Sequence, residues 1–367
     1  MDPRRDPAPD TPPVDVRLSD PGEIAAGLPA LLGFRPRESV VLISLTGEGG
    51  SRVGLTVRGD LPPADGAATA AAVLSRSVRT DGPAAVLLAV VSEAPDVPEV
   101  AGRVPDRVGG GLPHRGLVHE VVIALARDGV PVRAAILVRA GRWWSYDCPR
   151  PCCAPSAGTP LPEGVSALEA ASVATGVVVE RDRSDLVRRI TGPGGSSPEA
   201  MATACEQVAT ECAARILEVG VDAMAEESWS AVTSAVERCL PGAAGPALTD
   251  RETARVLCGL RDRDVRDRAL QLATGAEAPA AEILWTECTR RAPAPLAAAP
   301  ATLLAVSAWL RGDGAMANVA LTHALAAEPG YALARLLAQA LAGCLPPAEL
   351  RTLIGEALTG AGSRRPA

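Results

Sequence analysis

The sequence predicts a layered α/β domain with a mixed sheet, followed by an all-α domain. Three observations carry this. Apolar runs of strand length, at 40–45, 84–91 and 132–138, are confined to the first 160 residues. Segments of helical period separate them, which is the alternation of a layered α/β unit. Beyond Pro160 apolar residues recur at helical spacing and strand-like runs give way. The expected organisation is a disordered lead at 1–15, an α/β domain at 16–190 and a linker at 191–198. A helical domain at 199–360 and a disordered tail at 361–367 follow.

In chain order, Ser19-Asp20-Pro21-Gly22-Glu23 starts the first helix with a capping residue, a proline in the first turn and an acid that complements the dipole. Ile24, Leu28, Leu31 and Leu32 recur at helical spacing and Gly33 ends it. Phe34-Arg35-Pro36-Arg37-Glu38 turns the chain. The run 40–45 (VVLISL) reads as a central strand buried on both faces. After a turn at 47–51 (GEGGS), Val53, Leu55 and Val57 alternate with Gly54, Thr56 and Arg58, so the two strands form a hairpin. Residues 64–79 are an Ala-rich helix stopped by Asp81-Gly82-Pro83. A second buried strand at 84–91 (AAVLLAVV) leads into a Pro- and Gly-rich loop at 93–113. Leu117, Val121, Val122 and Leu125 mark a helix; Val132, Ala134, Ile136 and Val138 alternate as a strand, and Trp144 and Tyr146 extend it or begin another.

Past Pro160, residues 168–179 and 184–190 read as short helical or mixed pieces, and 191–198 (TGPGGSSP) as the linker. Met201, Cys205, Val208, Cys212, Ile216 and Val219 then form one helical stripe, and Trp229, Val232, Val236 and Leu240 another. Thr249 with Glu252 predicts a capping box. Further helices are expected at 280–290, 301–311, 315–327, 331–342 and 347–358. Leu304, Ala305, Ala308, Ala317, Leu321, Ala324 and Pro329 follow the spacing of a tetratricopeptide helical hairpin. One copy is present where a stable solenoid needs about three, so this is a tetratricopeptide-like hairpin inside a bundle, not an array.

Composition narrows the function classes. The 367 residues suffice for two cores, and 47% hydrophobic with 22% charged residues is globular usage. One Phe and two Tyr leave the packing to Ala, Val and Leu. Every basic residue is Arg, which with the abundant Ala, Gly and Pro reflects a GC-rich coding bias rather than phosphate binding. A net charge of −7 with interspersed signs argues against nucleic-acid binding. No run approaches the ~20 apolar residues of a membrane span, and the first fifteen residues lack the apolar core of a signal peptide. Nine scattered cysteines, an odd number, suit a reducing cytoplasm.

The stretch 141–160 (GRWWSYDCPRPCCAPSAGTP) concentrates the chemistry. Cys148, Cys152 and Cys153 offer soft ligands that suit zinc. Adjacent cysteines seldom both face one ion, however, and a closed site would need a fourth ligand from Asp147, His114 or His119. Two other readings stand beside zinc: packed core thiols, and a regulatory disulfide with Arg142 and Arg150 lowering a thiol pKa. No other cofactor is predicted. His114 and His119 are five residues apart, off a common helical face, and read as solvent-facing helix-start residues; His323 reads as structural. Arg35, Arg58, Asp60, Arg139, Arg142 and Asp147 lie near strand ends and, with Trp144, could form an anion- or nucleotide-binding rim. The competing reading is that such pairs only tie loops together. The GEGGS turn joins two strands and lacks the helix dipole of a phosphate loop. Trp143 and Trp144 point to opposite faces of a strand, which makes either one core and the other an exposed docking spot, or both buried.

The segments LPALLGFRPRESVVLISL, RGDLP, WWSYDCPRPCC with Gly158-Thr159-Pro160-Leu161, and WLRGDGAMANVALTHALAAEPGYALARLLAQAL together resemble the actinobacterial family known as domain of unknown function 4192. Ala154-Pro155 departs from the proline that the resemblance implies directly after Cys153. The resemblance implies the architecture and assigns no activity. The expected function is a non-catalytic interaction or regulatory module, with a protein partner on the helical domain. The alternative is an enzyme or small-molecule or anion sensor, with its site at the strand ends beside the loop 143–153.

Overall fold

The run 40–45 lies inside β1 (Ser39–Thr46), the second strand of a six-stranded sheet, paired on both sides. The computed structural model describes residues 21–96, 111–164, 168, 170, 179–192, 197–240, 242 and 247–362. The expected lead, the tail from 363, the centre of the 191–198 linker, most of the 168–179 piece and much of the 93–113 loop lie outside the described residues. The chain divides into two units, one spanning Pro12–Arg183 and the other taking in Ser184–Ala367.

In the first unit β1 pairs antiparallel with β2 (Arg52–Asp60) and with β3 (Ala85–Val91). β3 runs parallel to β4 (Val132–Arg139), a pairing that requires a crossover, and α3 (Arg115–Arg127) lies between them in the chain. β5 (Arg142–Ser145) and the two-residue β6 (Thr159–Pro160) complete the order β2-β1-β3-β4-β5-β6. On one face Val40, Leu42, Leu88, Val90 and Leu137 pack with side chains of α2 (Ala67–Arg79) and α3, notably Leu74, Val78, Val121 and Leu125. α1 (Pro21–Leu32) touches β2 and β4 and buries Ile24, Leu28 and Leu32. Helices on both sides explain why β1 is apolar at successive positions; each such side chain contributes about 1.5–3 kcal/mol by burial. The outer strand β2 carries Arg52, Arg58 and Asp60, and β6 ends on Pro160, which has no N–H to offer.

The β1–β2 register shifts between Ile43 and Leu45. Asp81 Oδ2 fills this irregularity, accepting from Ser44 Oγ at 2.6 Å and from the Leu55 N–H at 2.9 Å. A Cβ on Gly54 would lie 2.1 Å from that oxygen, so the glycine makes room for it. Pairing also sets one end of the sheet: Ser39 lies opposite Asp60 and Val91, Arg139 opposite Arg142, and Arg142 opposite Pro160.

The second unit is helical among the described residues. After α4 (Arg183–Thr191) come α5 (Pro198–Val219), α6 (Val221–Arg238), α7 (Asp250–Gly259) and α8 (Arg263–Ala269). Then follow α9 (Ala278–Arg291), α10 (Ala298–Leu310), α11 (Gly314–Ala327), α12 (Ala332–Ala342) and α13 (Pro347–Gly362). α10 is buried at every position from Pro300 to Leu310, as a helix apolar all round must be, and it touches α9, α11, α12 and α13. Ser197, Thr249, Asp262 and Asp313 cap α5, α7, α8 and α11, and Thr249 with Glu252 completes the expected capping box. Two features depart from the sequence reading. α8 is an additional helix, and the α5 stripe is buried only at Met201, Cys205 and Val208, while Cys212, Ile216 and Val219 stay outside the core. No helix among the described residues is long and apolar enough to cross a membrane.

Candidate functional site

The 146–158 loop is shaped by its prolines and braced on its own strand. Tyr146 is buried, and its hydroxyl donates to the Pro113 carbonyl at 2.8 Å; burial raises its pKa against the opposing charges of Arg115 and Arg139. Pro149 and Pro151 restrict the backbone around Arg150. A single 3-10 turn follows at Pro151–Cys153, with the Cys153 N–H on the Arg150 carbonyl at 2.9 Å and the Ala154 N–H on Pro151 at 3.1 Å. The returning chain is tied down by Trp144 Nε1, which donates to the Ala154 carbonyl at 3.0 Å. Arg142 donates to the carbonyls of Ala157 at 2.9 Å and Gly158 at 3.0 Å. Gly158 has φ 65° and lies close against the indole: a Cβ there would lie 2.4 Å from Trp144 Cζ2.

This scaffold brings three sulfurs together. The Sγ atoms of Cys148, Cys152 and Cys153 all lie within 4.8 Å of one another, and those of Cys152 and Cys153 are 4.0 Å apart. The expectation that neighbouring cysteines would diverge is corrected: on this tight turn they converge. The Ser145 N–H points at Cys153 Sγ at 3.3 Å, and the Arg150 N–H at Cys148. That backbone hydrogen bond is the main cause holding the Cys148 thiol below its ordinary pKa, with Cys153, Cys152 and the Arg150 charge adding to it. Burial pushes Cys153 up to about 11. Cys152 is exposed. Among the described residues no further His, Asp or Glu joins the three. Asp147 is exposed beside them, His119 is exposed on α3, and His114 is engaged elsewhere.

Of the expected strand-end residues, Arg58, Asp60, Arg139 and Arg142 do share one end of the sheet. Arg58 bonds Ser39 Oγ at 2.9 Å and pairs with Asp60 at 2.6 Å. Arg139 donates to the Ala94 carbonyl at 2.8 Å and pairs with Asp96 at 3.0 Å. Its guanidinium also lies 4.8 Å over the Trp144 ring. Arg35 is exposed on the segment that bridges to Glu180. Asp147 lies past the other end of β5, away from this group. Trp144 is 3% exposed and is core; Trp143 is half-buried rather than fully outward.

The same sheet end holds a constellation that the sequence reading missed. Ser92 is buried at the end of β3, and its hydroxyl donates to Glu38 Oε2 at 2.7 Å. It accepts from the Ala94 N–H at 3.1 Å and lies 3.0 Å from His114 Nε2. Glu38 Oε1 takes the Glu93 N–H at 2.8 Å. His114 is therefore half-buried and bonded, not the solvent-facing residue expected. Glu38 (φ 40°), His114 (φ 60°) and Ala140 (φ 46°) all occupy left-handed backbone at this end. The hydroxyl is enclosed and fully bonded, so the trio locks three loops and does not present a nucleophile. No sequence signal short of the sheet order points to it.

Fold and site together define an α/β unit with a thiol-bearing loop at its sheet edge, joined to a helical bundle. Residues 21–348 match the family described as a domain of unknown function, DUF4192, and the chain belongs to that family. No curated protein and no solved structure matches it.

Proposed function

We propose that the chain is a non-catalytic interaction or regulatory module that docks a protein partner on its helical unit. The observation that carries this is the α5–α6 hairpin. No residue between Val208 and Ser228 is buried, and the tip presents Ile216, Leu217 at 89% exposure and Val221 at 61%. Arg215 ties the two arms through Glu227 at 2.7 Å and also pairs with Glu218 of its own helix at 3.2 Å. A cavity of about 430 Å³ opens beside it, lined by Val208, Cys212, Met224 and Ala231 among others. An apolar stripe that leaves the core but keeps its period has the form of a docking ridge. The arginines at the strand ends support the non-catalytic reading, because they are committed to loop carbonyls and acids. The α10–α11 pair supports a scaffold of tetratricopeptide-like character, since Ala305, Ala308, Ala317 and Ala324 close it without exposed surface. Nine scattered cysteines, an odd number, support a cytoplasmic location, and an all-Arg basic complement supports the actinobacterial origin that the resemblance implies.

The test uses the full chain as bait in extracts of its own host. A partner captured stoichiometrically, lost from Leu217→Arg and kept by Leu353→Arg on α13, supports the reading. Identical capture by all three overturns it. A second reading, a small-molecule or anion sensor or enzyme at the strand ends, is favoured by the three left-handed residues gathered there, since such strain concentrates at functional sites. A nucleotide or sugar phosphate that raises the melting temperature of the wild type and not of Arg58→Gln would establish it. No shift across such a panel removes it.

A further inference from the structure

We propose that Cys148, Cys152 and Cys153 form a three-thiolate site for one soft divalent cation, zinc, with the fourth coordination position open to water or an exogenous ligand. The site is independent of the docking surface. Its warrant begins with spacing. Metal–sulfur bonds of ~2.3 Å at tetrahedral angles set sulfurs about 3.8 Å apart. The 4.0 Å between Cys152 and Cys153, and the 4.8 Å bound on the whole trio, need only small rotamer adjustments to meet it.

The second line of support is the backbone around the sulfurs. Two main-chain N–H groups, from Ser145 and Arg150, are aimed at two of the three sulfurs. Such donors favour the thiolate and orient it, as the outer shell of a metal site does. The loop is also held before any ion arrives, through Trp144, Arg142 and the glycine contact at Gly158. Binding converts three thiols and M²⁺ into a trithiolate complex of net charge −1, releasing three protons.

The competing chemistry is a disulfide within the trio. Cys152 and Cys153 are joined by a trans peptide, which places their Cα atoms ~3.8 Å apart, below the 4.4–6.8 Å range that disulfides occupy. The Cys152–Cys153 pair is thus poorly suited to oxidation, while its 4.0 Å sulfur spacing suits a shared ion. Three protein ligands leave one position for a ligand from solution, so the metal is exchangeable and addressable from outside.

The experiment loads the reduced full chain with Zn(II), and separately with Co(II), whose sulfur-to-metal charge-transfer band reports thiolate ligands. One ion per chain is expected, with Cys148, Cys152 and Cys153 protected from alkylation until a chelator is added. Cys152→Ser removes an exposed sulfur that the fold does not need, and is expected to weaken zinc affinity at least ~10-fold, as loss of a ligand must exceed loss of an outer-shell partner. Cys212→Ser is expected to leave affinity unchanged. The proposal is overturned if the wild type retains no zinc while its three thiols alkylate freely. It is equally overturned if Cys152→Ser binds zinc as tightly as wild type, or if the trio yields only a disulfide and no metal complex.

Discussion

Gly158→Ala tests whether the indole of Trp144 props the thiol loop. The new methyl would lie 2.4 Å from Cζ2 and 2.5 Å from Cε2, and Trp144, at 3% exposure, has little room to retreat. Left-handed backbone at φ 65° adds about 1–2 kcal/mol for an L side chain. Overpacking against a rigid ring adds about 1–3 kcal/mol. The sum is about 2–5 kcal/mol. Gly141→Ala supplies the control, because it shares the strain at φ 72° but has nothing within 4 Å of the added carbon. Alanine also narrows the unfolded ensemble by ~0.4–1 kcal/mol in both variants, a term that cancels in the comparison. The assay is a urea titration of the full chain read by pulse alkylation of Cys153, the buried thiol of the same unit, with mass-spectrometric detection. Gly158→Ala is expected to lose about 1–3 kcal/mol more than Gly141→Ala. Equal midpoints for the two variants would refute the prop.

Two further predictions follow. Ser92→Ala removes the buried hydroxyl that joins Glu38, His114 and the Ala94 N–H, including a bond to a charged carboxylate; an equilibrium urea titration should read a loss of about 1–3 kcal/mol, and a change under ~0.5 would mean that water replaces the hydroxyl. His323, half-buried on α11, has its pKa depressed by desolvation, so its neutral form favours the folded state. That contribution is complete above the unfolded pKa of ~6.5 and is lost as pH falls towards the folded value. His323→Gln should therefore be less sensitive than wild type to acidification from about pH 7 to 5, and parallel thermal-melt profiles would contradict this.

Much of the fold was legible because its signals are local. The runs at 40–45 and 84–91 are apolar at consecutive positions, and only a strand covered on both faces needs that; α10 declares its central place in the same way. The order of the strands depends on pairings between residues far apart, and no local pattern encodes it. α8 escaped notice because Arg263–Ala269 is short and charged, with Val265 and Ala269 its only buried positions. The α5 stripe misled in the other direction: period alone says which face a residue is on, not whether anything covers that face. At the candidate site the residue types were readable in Cys148, Cys152 and Cys153, whereas their convergence rests on one 3-10 turn. Glu38, Ser92 and His114 carry no spacing that joins them, and topology alone makes them neighbours.

The borders of the sheet have a consequence for how this protein behaves in a crowd. A sheet with open rims can recruit strands from its neighbours, and concentrated or half-made copies then knit into fibres. Here one rim bears arginines and an aspartate, and the other stops at a proline after two residues. Both flanks thus carry features that disfavour lateral growth. Charge at one rim and a proline at the other tilt encounters between copies away from shared backbone pairing.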